Sequence, residues 1–151
     1  MRMEEIVSAH ADWPCRKGCD ECCRRLASVP RVAREEWEAI AAALDALPAE
    51  NAEPVRRRIR ESASAERPVV CPLLDLDSAT CLVYEARPVA CRAYGFYAER
   101  DSVLGCHRIE SIARQSPGVI WGNHSTLEER LDGLGPAAPL HTFLHQSEPR
   151  P

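Results

Sequence analysis

Cys15-Arg-Lys-Gly-Cys19-Asp-Glu-Cys22-Cys23 places four cysteines within nine residues, and that density of thiols decides how the rest of the chain must fold. Cysteines two to four residues apart let a tight loop aim two sulfurs at one point, the geometry of zinc and iron–sulfur loops. Gly18 suits such a loop, which often needs a positive φ. Buried structural cysteines do not cluster in this way, so Cys15, Cys19, Cys22 and Cys23 read as metal or cofactor ligands. Adjacent side chains on an extended backbone point to opposite faces. Cys22 and Cys23 are therefore expected to serve two metal sites, or to divide between ligation and packing, unless a multinuclear cluster offers several metal atoms.

Four more cysteines follow downstream, in Cys71-Pro-Leu-Leu, Cys81-Leu-Val-Tyr, Cys91-Arg and Cys106-His. Their spacing is too long for a single knuckle, so they read as partners that complete shells begun by the first group. Metal ligation is thus expected at Cys15, Cys19, Cys22, Cys23, Cys71, Cys81, Cys91 and Cys106. Two four-cysteine Zn2+ sites would use all eight; one 4Fe–4S cluster would use four and leave the others for a second site. Either centre with four thiolates carries a net −2, which needs cations and donors nearby. Arg16 and Lys17, Arg24 and Arg25, Arg92 and Arg108 all follow closely on cysteines and could supply them. His107, and less so His10, could replace a thiolate in an incomplete shell.

Between the cysteine groups the chain reads as a helical hairpin over 33–67. Ala33, Trp37, Ile40, Leu44 and Leu47 form one helical stripe that Pro48 ends. Asn51 then reads as an N-cap, with Pro54 in the first turn and Val55, Ile59 and Ala63 on one face. The span from Val69 to Tyr84 suggests a short β-hairpin or an irregular knuckle. Ser125-Thr-Leu-Glu128 has the form of a capping box before Leu127, Leu131 and Leu134, and Pro139–His145 reads as a further helical turn. Residues 146–151 read as a frayed tail. The expected fold is a small single domain over residues 1–145. It is mainly α with irregular cysteine-rich loops and at most a short β-hairpin, wrapped round a metal centre.

Composition bounds the function. With 151 residues and 45% apolar content the chain can build one core without staples, so eight cysteines exceed what stability requires. A net charge of −4 argues against general nucleic-acid binding. Arg56, Arg57, Arg58 and Arg60 then read as a solvated helix face. No window is long and apolar enough for a membrane span, and the first residues have no signal-peptide pattern. A cytoplasmic protein is expected, in a compartment where disulfides are rare. No protein partner is legible, and there is no P-loop, dinucleotide fingerprint, Ser–His–Asp set or paired-carboxylate motif.

The sequences CRKGCDECC and CPLLDLDSATCLVYEARPVACRAYGF together resemble the CxxCxxCC family, the YkgJ-like cysteine-cluster proteins described as zinc- or iron-chelating. The terminal Cys22-Cys23 pair, Cys71-Pro-Leu-Leu, Cys81-x-x-Tyr84-x-x-Arg87-Pro88 and Cys91-Arg92 carry the resemblance, which spans Cys15 to Cys106. Cys15 and Cys19 are separated by three residues rather than the two of the family's name. The resemblance implies metal chelation, with iron–sulfur content suspected, and supplies no substrate. Flagellin lysine methylases carry a similar cysteine box, but this chain looks too short for their remaining parts. Cys15-x3-Cys19-x2-Cys22 also has the spacing of a radical-SAM loop, but the chain lacks the length and strand–helix alternation of that barrel. Two functions follow from these residues: a metal-binding protein that holds zinc or an iron–sulfur cluster, or a redox or catalytic iron–sulfur protein acting in electron transfer or modification.

Overall fold

The structure is a computed structural model and describes residues 2–147. In chain order the helices are α1 (Arg2–Ala9), α2 (Arg34–Asp45), α3 (Ala49–Glu61), α4 (Val89–Ala93), α5 (His107–Gln115), α6 (His124–Asp132) and α7 (Leu140–Ser147). The strands are only two or three residues each: β1 (Arg31–Val32), β2 (Leu74–Asp75), β3 (Thr80–Cys81), β4 (Tyr97–Glu99), β5 (Ser102–Val103), β6 (Gly122–Asn123) and β7 (Ala138–Pro139). With 48% of the protein helical, the expected α character holds. Strand content exceeds the single hairpin expected. Besides the β2–β3 hairpin, β1 pairs antiparallel with β7, and β4 lies between antiparallel β5 and parallel β6. The β1–β7 and β4–β6 pairs join segments distant in sequence, β4–β5 is a second tight hairpin, and strands of two or three residues leave no period to read.

The helical hairpin forms with shifted ends. In α2, Trp37, Ile40 and Leu44 are buried, as the stripe requires. The Glu36 carboxylate reaches back to the Ala33 N–H at 2.8 Å, while Ala33, having no side-chain oxygen, supplies only half of a capping box. Asn51 is not the cap of α3. Pro48, at φ −52 and ψ 141, takes that place, and its carbonyl accepts from Asn51 and Ala52 N–H at 2.8 and 3.0 Å. The helix therefore begins earlier and carries Pro54 in its interior. Val55 and Ile59 face the core with Ala52, whereas Ala63 falls in an exposed 3-10 turn beyond the helix end.

Two apolar clusters result. The first is built by α2, α3 and α7 with the β2–β3 hairpin; Ile40, Ile59 and Leu140 are fully buried there, each contributing roughly 1.5–3 kcal/mol. The expected helix after Pro139 is α7. It includes Gln146 and Ser147, and a bond from Trp37 Nε1 to Ser147 Oγ at 3.3 Å meets its last turn. The remainder of the expected tail, 148–151, lies outside the described residues. The second cluster is smaller: Ile6 of α1, Trp13, Phe96, Ile109 of α5 and Val119. Neither α1 nor α5 was expected from the sequence. Near the C-terminus, Asn123 caps α6 by accepting from Thr126 N–H at 3.1 Å, so Ser125 lies inside the helix instead of at its cap. Among the described residues no helix is long and apolar enough to cross a membrane.

Candidate metal centre

The cysteine box is two consecutive tight turns. The Cys19 N–H donates to Arg16 O at 3.0 Å, with Gly18 at φ +90, a conformation that favours glycine. Arg24 N–H to Asp20 O, at 3.0 Å, and Arg25 N–H to Cys22 O, at 3.2 Å, close the second turn. This curl overturns the expected divergence of the adjacent cysteines. The Cys22 and Cys23 sulfurs lie 4.0 Å apart, because in a turn successive Cβ atoms no longer alternate across a strand. A tetrahedral thiolate shell with zinc–sulfur bonds near 2.3 Å has sulfur–sulfur edges of about 3.8 Å. The pair has the spacing of one shell.

The chain's return after α3 brings the second group against the first. Leu26 and Val69 exchange backbone bonds of 2.9 and 2.8 Å, and Cys71 N–H donates to Cys23 O at 2.7 Å. Leu74 pairs with Cys81 in the β2–β3 register. Cys91 sits in α4, where its N–H donates to Pro88 O at 3.0 Å. The start of α4 is tied to α2 by Val89 N–H donating to Glu36 Oε1 at 2.7 Å. Cys106 is the N-cap of α5.

All eight cysteines are free and line two adjoining cavities. Cys15 and Cys106 line one, of about 500 Å³; Cys23, Cys71 and Cys81 line the other, of about 360 Å³; Cys19, Cys22 and Cys91 line both. The site is also the seam between the apolar clusters. Cys71 belongs to the first, with Cys23 and Cys81 packed against it, and Cys15 and Cys106 pack against the second. Among the described residues no three Cys, His, Asp or Glu side chains form a group that could hold a metal ion. The thiols ring two spaces rather than one point.

Crowding and burial push up five of these thiols, Cys15, Cys22, Cys23, Cys81 and Cys91. Burial, with Cys19, Cys106 and Cys22 close by, pushes Cys15 up to about 12 against the pull of Arg108. Burial likewise lifts Cys91 to about 12, reinforced by Cys23, Cys22 and Cys81 and opposed by Arg87. Cys22 is raised by its contact with Cys23 and by burial. For Cys23 the bond with Cys22 pulls down, but Cys71, burial and the charge of Cys81 prevail and set it at about 12. Cys81 is raised by burial, with the Val83 N–H and Arg87 working against it.

The cations that act on the thiols are Arg87 and Arg108, only one of which was expected from its neighbouring cysteine. Arg24 pairs with Asp20, and Arg92 donates to the carbonyls of Arg87 and Glu85 instead of to sulfur. Arg87 closes the 3-10 turn that leads through Pro88 into the helix of Cys91. Its Nε donates to Tyr84 O at 2.9 Å, and its guanidinium lies 3.5 Å from the Tyr84 ring centroid. Neither histidine considered as a ligand lines the cavities. His10 packs on Trp13, ring centroids 5.7 Å apart, and the exposed His107 has Nδ1 3.8 Å from Glu21. Gly95 went unnoticed in the sequence. It has φ +89, and a Cβ there would meet Cys15 Sγ at 2.3 Å, so glycine makes the room that this thiol occupies. Glu36 went unnoticed too, because its bonds to two helix starts are visible only in three dimensions.

A family model matches residues 14–114, which contain all eight cysteines; it is the CxxCxxCC model, described as "Putative zinc- or iron-chelating domain". Comparison with curated proteins and with solved structures found no match.

Proposed function

The chain belongs to the CxxCxxCC family, and from that membership we propose that it binds zinc or an iron–sulfur cluster through cysteine thiolates at the seam between its two apolar clusters. The observation that carries this reading is the meeting of eight free thiols from distant segments on two adjoining cavities that share Cys19, Cys22 and Cys91. The donor set fits the group: soft sulfur is what zinc and iron–sulfur clusters select. Cys22 and Cys23 already stand close to a shell edge. A bound zinc ion would cross-link the loops, whereas an iron–sulfur cluster would add one-electron chemistry.

The chain's own residues set the terms of binding. Each ligating thiol must give up its proton, so metal uptake releases protons. Arg87 and Arg108 offset the thiolate charge that results. Cys15 and Cys106 approach from the small cluster and Cys71 and Cys81 from the large one, so a shared centre ties the two together. One observation favours the redox or catalytic alternative. The 500 Å³ cavity leaves open space beside the thiols, where a fully closed structural shell needs none. Metal and acid-labile sulfide analysis of anaerobically purified protein tests the proposal. Stoichiometric zinc, or iron with sulfide and absorbance near ~400 nm, is expected; metal-free protein with its cysteines paired as disulfides would refute it.

A further inference from the structure

The 500 Å³ cavity is larger than a metal centre requires and falls in the size range of small-molecule sites, roughly 300–1,000 Å³. Beside its five cysteines it has an apolar wall of Met3 and Val7 from α1 and Phe96. Four cations also line it: Arg16, Lys17, Arg87 and Arg92. Arg92 is committed to backbone carbonyls. Arg16, Lys17 and Arg87 have no carboxylate partner among the described residues, Arg87 giving only its Nε to Tyr84 O, whereas Arg2, Arg24, Arg56 and Arg60 each hold one elsewhere on the protein. Two of the three converge on one ring, Lys17 Nζ at 5.3 Å and the Arg87 guanidinium at 3.5 Å from the Tyr84 centroid. Of the carboxylates that line the same cavity, Glu21 faces His107 and Glu4 is already engaged, leaving Glu85.

We propose that this cavity binds a small dicarboxylate beside the cysteines, with Arg16, Lys17 and Arg87 as its anion-binding side chains. A guanidinium fork matches a carboxylate in two parallel hydrogen bonds, and Lys17 adds a point charge. The apolar wall takes the carbon chain, which inorganic phosphate lacks. The second carboxylate would face the thiol-lined end of the cavity, where an oxygen could take an exchangeable position on a bound zinc or iron. That last role rests on the metal-binding reading; the anion site does not.

Calorimetric titration of the full chain with glutarate, its metal content assayed on the same sample, tests this. Saturable binding is expected, absent for the neutral glutaramide. It should weaken at least tenfold in the Arg16→Gln/Lys17→Gln variant, whose two side chains are exposed and outside the core. The single variant Lys17→Glu provides a second arm on the same exposed turn. No saturable glutarate binding, an affinity unchanged by these variants, or inorganic phosphate binding as tightly as glutarate would each overturn the proposal. Protein that is metal-free with its cysteines paired as disulfides, yet binds glutarate through Arg16 and Lys17, supports the site while refuting the metal reading, and metal-loaded protein that ignores glutarate does the reverse.

Discussion

Gly95 and Cys15 share one space. Any side chain at position 95 would meet both a positive φ and a sulfur at 2.3 Å, so Gly95→Ala must displace the Cys15 thiol. The substitution is expected to cost more than about 1 kcal/mol in stability. It should also lower metal stoichiometry or retention, read by urea unfolding and metal analysis. Proton linkage gives a second test. Cys15, Cys23 and Cys91 rise from an ordinary 9.0 to about 12 in the metal-free fold. The folded state then holds these protons more tightly than the unfolded chain. That contribution is fully present below about pH 9 and is lost as pH rises through about 12. Under reducing conditions the urea midpoint of metal-free protein should fall as pH is raised above 9. Metal affinity should move the other way and weaken as pH falls, because protons compete for the same sulfurs.

At the level of elements, Glu36 joins its own helix start to that of α4, whose first N–H lies 53 residues further along the sequence. Its two oxygens accept from Ala33 N–H at the start of α2 and from Val89 N–H at the start of α4, the helix that carries Cys91. Glu36→Ala leaves both donors without this acceptor and should cost about 1–3 kcal/mol per donor that water does not reach. Cys91 loses a tether with it, so faster metal loss to a chelator is expected alongside the lower unfolding midpoint. Ile59→Ala, deep in the first cluster, should cost about 2–5 kcal/mol yet leave metal stoichiometry intact in the folded protein. Contrasting the two variants separates damage to the site from damage to the core. The helical hairpin was legible because α2 and α3 are long enough to show a 3.6-residue period in Trp37, Ile40, Leu44, Val55 and Ile59. Their ends were less so: Asn51 has a good capping side chain, but Pro48 already presents its carbonyl to the first turn.

Across the whole molecule, the cysteines lie where a large and a small apolar cluster meet. The small cluster has only five buried residues, too few to be stable by burial alone, and Trp13 is among them with Trp121 packed against it. Removing metal under reducing conditions should therefore loosen this part first. The near-UV circular dichroism of Trp13 and Trp121 should decline while most of the helical signal from α2, α3 and α7 persists. Simultaneous loss of both signals would show that the two clusters do not separate in this way. The seam also explains why α1 and α5 escaped sequence reading. Their burial rests on single residues, Ile6 and Ile109, and one buried position makes no stripe.

The sequence by itself determined the donors: clustered thiols in a spacing used by metal loops, a helical hairpin between the two groups, and membership of the CxxCxxCC family. Those properties are local, carried by residue type, short spacing and period. Tertiary structure decided which sulfurs are neighbours, that Cys22 and Cys23 lie together rather than apart, that Arg87 and Arg108 supply the nearby charge, and that Gly95 makes room for Cys15. Each of these depends on how turns and helices from distant parts of the chain pack, and packing leaves no short-range signature in the order of the residues.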